Sequence, residues 1–242
     1  MSTVIATSVL PDSTANDTLT IGATGDSVVI SGDSLHMNTL QDAGGNNTFV
    51  SDGAGVITSS GFPGAMKFIS AQTASGADSL SFTTGIDSTY DVYVFKCIEI
   101  NPATDAQMFR FNASTDGGIT YTATKTTTYW SAEHNIINTS EGVTYEQSYD
   151  LDQSTDPQIL ARDTGNAAKE NCSGELYLYG PSSTTFHKNF YATFNNYFYT
   201  GFTMNSYIGG YCTDAAAINA IQFTVASGVF DGHIAMYGLS KS

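Results

Sequence analysis

The 242-residue chain carries 23 acidic against 8 basic residues, a formal charge of −15, and only 13% of it is charged while 12% is aromatic. A surface this acidic repels phosphate backbones and anionic headgroups, which removes nucleic-acid binding from the leading function classes. The length suffices for one large β-domain with a substantial core, and so few charges leave the surface to neutral Ser, Thr, Asn and Gly, a composition suited to flat strands, tight turns and contact with neighbouring chains.

The N-terminal stretch MSTVIATSVLPDSTAND has neither a basic n-region nor a continuous apolar h-region. No secretory leader is therefore expected, and no run reaches the apolar length of a membrane span, so no membrane insertion is expected. Short runs of β-formers follow at residues 19–21, 28–30, 48–50 and 56–58, punctuated by Gly-Asp, Gly-Gly and Asp-Gly. Each is too short and too poor in large apolar groups to build a core alone, so the segment needs a support. It is expected to be an extended arm on a neighbouring protein, or one of three copies wound together. No Lys or Arg precedes Lys67, whereas Asp12, Asp17, Asp26, Asp33, Asp42 and Asp52 do. That break predicts an attachment arm over residues 1–61 and a domain over 62–242.

Longer strands are predicted at residues 65–70, 79–83, 90–100, 108–113, 121–130, 144–150, 174–179, 186–194, 206–212, 217–226 and 232–239, separated by turn signals such as ASGAD, NPATD, STDGG and YGPSS. This spacing predicts an all-β fold, an antiparallel jelly-roll-like sandwich preceded by an extended or prism-like N-terminal β-arm. Residues 157–169 alone hint at helix, and the DTGN within them favours a loop or a short turn. Residues 90–100 pose a problem of faces. Tyr90, Val92, Val94, Ile98 and Ile100 fall on one side, while Tyr93, Phe95 and Cys97 fall on the other. Apolar residues on both faces predict a covered outer face, the cover being the chain's own loops or, as the favoured reading, a symmetry-related subunit.

The densest aromatic stretch, residues 186–211, interleaves Tyr and Phe with Asn195, Asn196, Asn205 and His187. Aromatic faces stack on sugar C–H groups and amides bond hydroxyls, so a glycan-binding surface competes with core packing plus a subunit interface. Tyr197, Tyr199, Asn195 and Asn196 are the glycan-binding candidates, because a loop-like NNYFYTG would place them at one end of the sandwich. DLDQSTD, residues 150–156, spaces carboxylates like a calcium loop, but Thr155 stands where glycine is needed and Ala161 where a bidentate glutamate is needed. A solvated acidic loop is the reading, and no metal site is expected. Cys97, Cys172 and Cys212 form no CxxC pair and are expected to be buried free thiols. There is no GxSxG, no HExxH and no phosphate-binding glycine loop. Glu133 and His134 would point to opposite faces of a strand, which denies them an acid–base pairing. No cofactor is expected.

Four stretches, FISAQTASGADSLSFTTGIDSTYDVYVFKCIEINPATD, FRFNASTDGGITY, ELYLYGPSSTTFHKNF and YIGGYCTDAAAINAIQFTVASGVFDGHIAMYGL, together resemble virion structural proteins of marine tailed phages and cyanophages. In that family a Gly/Asp/Thr-rich segment precedes a β-sandwich ending in a G-x-I-x-x-Y-G strand. The resemblance spans about residues 65–239. It implies a non-enzymatic virion component, assembled in the host cytoplasm: a homotrimeric fibre or appendage subunit that binds other virion proteins through its arm and touches host surface glycans. A capsid decoration protein, with the arm clamping adjacent capsomers, is the alternative. A small glycan-cleaving enzyme is the reading from another class, and would need two converging carboxylates drawn from Glu133, Glu141, Glu146 and Asp150.

Overall fold

The computed structural model describes residues 39–41, 47–51, 57–58 and 66–239. The chain divides into two compact units, Met1–Phe62 and Pro63–Ser242. In the first, β1 (Thr39–Gln41), β2 (Asn47–Ser51) and β3 (Ile57–Thr58) form an antiparallel sheet in the order β1-β2-β3. The runs expected at 19–21 and 28–30, and most of the arm with them, lie outside the described residues.

The second unit contains β4 (Met66–Ala77), β5 (Ser79–Phe82), β6 (Val92–Pro102), β7 (Gln107–Ser114), β8 (Lys125–Asn135), β9 (Glu141–Tyr145), β10 (Gln158–Thr164), β11 (Cys172–Tyr179), β12 (Lys188–Phe198), β13 (Phe202–Cys212), β14 (Ala220–Val225) and β15 (Phe230–Leu239). All pair antiparallel, in two layers. A wide layer runs β4-β15-β6-β11-β12-β13-β8-β9 and a narrow layer runs β5-β14-β7-β10, joined at a single bridge between Thr164 and Phe198. From β5 onward the chain alternates between layers, except for the hairpin β8–β9 and the meander β11–β12–β13, which both stay in the wide one. With the meander counted as one position, β5 to β14 trace a jelly roll, and β15 and β4 extend its wide layer beyond β6.

Alternation of side chains builds the layers. Along β12, Phe190, Ala192, Phe194 and Asn196 are buried, while Asn189, Tyr191 and Asn195 face outward and are exposed. Between the layers a phenylalanine cluster forms the core: Phe223 of the narrow sheet lies 5.5 Å from Phe95, 5.7 Å from Phe109 and 6.3 Å from Phe82, ring centre to ring centre. Phe111 meets Phe190 edge-on at 5.0 Å. The three cysteines are buried and unpaired.

The two-faced strand has a physical explanation. Tyr93, Phe95 and Cys97 point into the core, then a register shift around Ile98 and Glu99, with Glu99 at φ 53°, reverses the phase so that Ile100 and Pro102 point inward as well. On the outer face Val94 sits in register between Tyr177 of β11 and Tyr237 of β15 and is fully buried. The cover expected from a symmetry-related subunit is thus supplied at Val94 by neighbouring strands of the same chain, while Ile98 stays 46% exposed.

Residues 157–169, read as a loop or short turn, contain β10 instead. Register shifts at Ile159/Ala161 and Ala161/Thr164, and Asp163 at φ 50°, break the alternation that would have revealed a strand. The segment read as a strand over 144–150 is the end of β9 followed by a 3-10 turn at Gln147–Tyr149.

Candidate functional site

The four candidate residues do not share one surface. The strand β12 continues through Phe198, so Asn195, Asn196 and Tyr197 lie within a sheet and only Tyr199 reaches the turn. Asn195 is exposed on the outer face, its amide Nδ2 donating to Thr203 Oγ1 at 3.1 Å. Asn196 points inward, is 1% exposed, and donates to the Arg162 carbonyl at 2.9 Å. Tyr197 is half-buried on the outer side and Tyr199 is 45% exposed.

What the fold does assemble is the outer face of the wide sheet. Cross-strand register sets its rows. One reads Tyr237, Val94, Tyr177, Tyr191, Gly209 and Thr128; the next reads Glu175, Thr193, Tyr207, Trp130 and Tyr145. Rings on this face stack in pairs: Trp130 on Tyr207 at 4.0 Å and 9°, Tyr177 on Tyr191 at 4.6 Å and 8°, His187 on Tyr211 at 5.2 Å and 20°. Of the exposed large apolar side chains, Phe68, Val143, Tyr145, Tyr191 and Trp130 stand on it, whereas Ile119, Ile136, Ile137 and Phe186 lie outside its strands.

Where Gly209 interrupts the rings, a trough of about 370 Å³ opens, walled by Tyr179, Tyr191, Tyr211 and Thr128. A second depression, about 420 Å³, lies further along the sheet among Ser173, Thr193, Asn195 and Asn205, and the ion pair of Lys96 with Glu175, at 2.9 Å, lines it. A third, about 250 Å³, shares Asn195 and Asn205 and reaches Thr203 and His134. Burial first, then the Glu175 carboxylate, pushes the Tyr177 phenol up to about 12, and burial also raises that of Tyr179. Both stay protonated at neutral pH, the Tyr177 phenol engaged with Glu175 and Tyr191 and that of Tyr179 with Tyr191.

Of the carboxylates nominated for hydrolysis, Glu133 and Glu146 meet at one guanidinium, while Asp150 and Glu141 have other partners. Arg162 Nη2 lies 2.9 Å from Glu146 and 3.6 Å from Glu133, and its guanidinium stacks on Phe198 at 5.2 Å. Asp150 accepts from the Tyr129 backbone N–H at 2.7 Å and from the Tyr145 hydroxyl. Glu141 sits exposed at the start of β9, opposite His134. Within DLDQSTD, Asp150 is tied to Tyr129 and Asp156 to Ser154. Among the described residues no three His, Cys, Asp or Glu side chains are grouped to hold a metal ion.

One charged feature escaped sequence reasoning. Lys188, Cys212 and Lys125 are register neighbours on β12, β13 and β8, all pointing inward and fully buried. Lys125 Nζ donates to Asn112 Oδ1 at 2.5 Å and to the Ala123 carbonyl at 2.7 Å, and burial pulls its pKa from 10.5 to about 8. Lys188 donates to the Asp214 carbonyl, and its pKa is lowered by burial too. The inward alternation of β8 and β12 was the available signal, and Lys at an inward position reads against it.

Fold and surface together define a class: a jelly-roll β-sandwich whose widened layer presents a ring-studded, amide-bearing outer face. No family model, no curated protein and no solved structure matches the chain.

Proposed function

We propose that the chain is a non-enzymatic structural subunit of a tailed-phage virion, a fibre or appendage protein whose jelly roll meets the host surface through the outer face of its wide sheet. The observation that carries this reading is that face itself: Phe68 at 63%, Val143 at 73%, Tyr145 at 57%, Tyr191 at 42% and Trp130 at 39% exposure stand on one sheet, among hydroxyls and amides. Exposed apolar groups gathered on one face mark an interaction surface, and rings interleaved with Asn and Thr suit hydroxylated ligands. The sequence resemblance of residues 65–239 to phage structural proteins and the low charge support the same reading. Glycan contact is placed on Tyr191 and its neighbours, with Asn195 retained from the four sequence candidates.

Immunogold labelling of particles of the encoding phage, with an antibody to the jelly roll, tests this. Label on tail or fibre supports the reading, label over the head shifts it to capsid decoration, and unlabelled particles sink both. Light scattering of the full-length chain tests the homotrimer, which a monomeric mass would exclude.

A further inference from the structure

Glycines inside strands cost stability, so each needs a reason. For Gly210 the reason is packing: a Cβ there would stand 2.6 Å from the Thr126 carbonyl oxygen, 2.7 Å from Thr127 Cγ2 and 3.0 Å from Phe190. Gly174 and Gly238 are likewise closed by Phe194 and by the Tyr90 ring. Gly209 differs. A Cβ there meets nothing closer than Thr128 Oγ1 at 3.8 Å, an ordinary contact, and its φ is not in the left-handed region. The fold does not demand glycine at the middle of β13, nor at Gly142 of the edge strand β9, but only Gly209 lines a trough, and the close approach of another molecule is a reason for glycine in a strand interior.

The surroundings say what kind of molecule. Tyr191 and Thr128 flank Gly209 in register on either side, which sets them about 10 Å apart, and Tyr207 and Tyr211 stand about 13 Å apart along the strand. The opening is thus a trough with Tyr179, Tyr191 and Tyr211 as its aromatic walls and Thr128 on the opposite side of Gly209. Such a trough takes a puckered sugar ring that lays a C–H face on an aromatic wall and carries hydroxyls at its edge. No Lys or Arg lines it, and the chain's charge of −15 disfavours an anion.

We propose that the Gly209 trough is a subsite for an uncharged pyranose of a surface glycan, its C–H face on Tyr191 or Tyr211 and its hydroxyls on Thr128 and the phenols. This deepens the host-contact reading above and rests on it. The depression bearing Asn195 and Asn205 continues the same face and would take the next sugar.

Trp130, the single tryptophan, stacks on Tyr207 beside the trough and reports on it. Its fluorescence in the full-length protein is titrated with the methyl pyranosides of glucose, mannose and galactose, and with the methyl glycoside of N-acetylneuraminic acid as anionic comparator. Expected is saturable millimolar binding of at least one uncharged pyranoside, abolished in Gly209→Val and weakened about twofold to tenfold in Tyr191→Ala, the equivalent of one aromatic contact. Gly209→Ala, which adds a single methyl, is the smaller companion should Val disturb the sheet, and it too should weaken binding. The proposal is overturned if no uncharged pyranoside binds, if folded Gly209 variants bind as the parent does, or if the anionic glycoside binds equally well. A changed solution mass in Gly209→Val also overturns it, because the slot then holds a second copy of the chain. Pyranoside binding without particle labelling keeps the subsite and removes the virion reading; labelling without binding does the reverse.

Discussion

Lys125 provides a prediction whose size follows from its surroundings. The side chain is fully buried, and its pKa falls from 10.5 in the unfolded chain to about 8 in the fold. The folded state therefore holds the proton less tightly. Below the folded pKa the charged ammonium costs the fold about 3 kcal/mol, and the cost is relieved as pH rises from about 8 towards 10.5. Between about pH 7 and about pH 9 the linkage relation gives a gain of roughly 1.4 kcal/mol from this residue alone. The cysteines oppose it: burial raises Cys172 to about 12 and Cys212 to about 11, so the unfolded thiols ionise first and stability drops above their unfolded pKa of 9.0. Comparing the parent with Lys125→Met cancels most of that opposing effect. Urea denaturation of both proteins, across that pH range, should show the variant losing about 1.4 kcal/mol relative to the parent. A stability difference independent of pH would refute the reasoning, because it would mean that Lys125 is equally solvated in both states.

Other expectations follow from contacts. Phe223→Ala, which removes the ring shared by Phe82, Phe95 and Phe109, should cost about 3–5 kcal/mol in chemical denaturation. Asn196→Ala should cost about 1–3 kcal/mol by stripping the Arg162 carbonyl of its donor, whereas Asn195→Ala should change stability by less than about 0.5 kcal/mol; equal effects would contradict their opposite orientations. Tyr129→Phe should cost about 1–2 kcal/mol, because the phenol and Ser206 Oγ, 2.5 Å apart, are both buried and Ser206 would lose its partner.

Strand positions were legible where alternation was intact. Along β12 and β13, Phe190, Phe194, Met204 and Ile208 mark the buried side without interruption, and turn residues bound the strands. Legibility failed where a bulge shifts the phase. In β10 the chain places Gln158, Leu160, Ala161 and Thr164 inward, a spacing that fits neither period, and the buried Gln158 is satisfied by Thr127 and by the Tyr149 and Ile159 carbonyls. Of the candidate residues, Asn195 faces outward and Asn196 points into the core, a split that becomes legible only when alternation is carried through to Phe198, where the strand ends. Gly209 carried no sequence signal distinct from Gly210. The two differ only in what surrounds them, which belongs to tertiary structure.

The paired rings bear on affinity as well as on shape. A free tyrosine loses rotamer freedom when a ligand fixes it, at about 0.5–1.5 kcal/mol per immobilised side chain. Here Trp130 on Tyr207, Tyr177 on Tyr191 and His187 on Tyr211 are already stacked around the trough, each ring held by a neighbour on the adjoining strand or just beyond its end. Beneath them Phe190 and Ile208 anchor the same strands in the core, at 3% exposure each. The platform is therefore ordered before any ligand arrives, and stacking energy goes into binding instead of into ordering side chains. Breaking a pair without touching the slot separates the two effects. In Tyr177→Ala the Tyr191 ring loses the closer of its two stacking partners, Tyr179 remaining at 6.0 Å, so pyranoside affinity should fall while the trough stays open; an unchanged affinity would mean that Tyr179 and the backbone suffice to hold Tyr191.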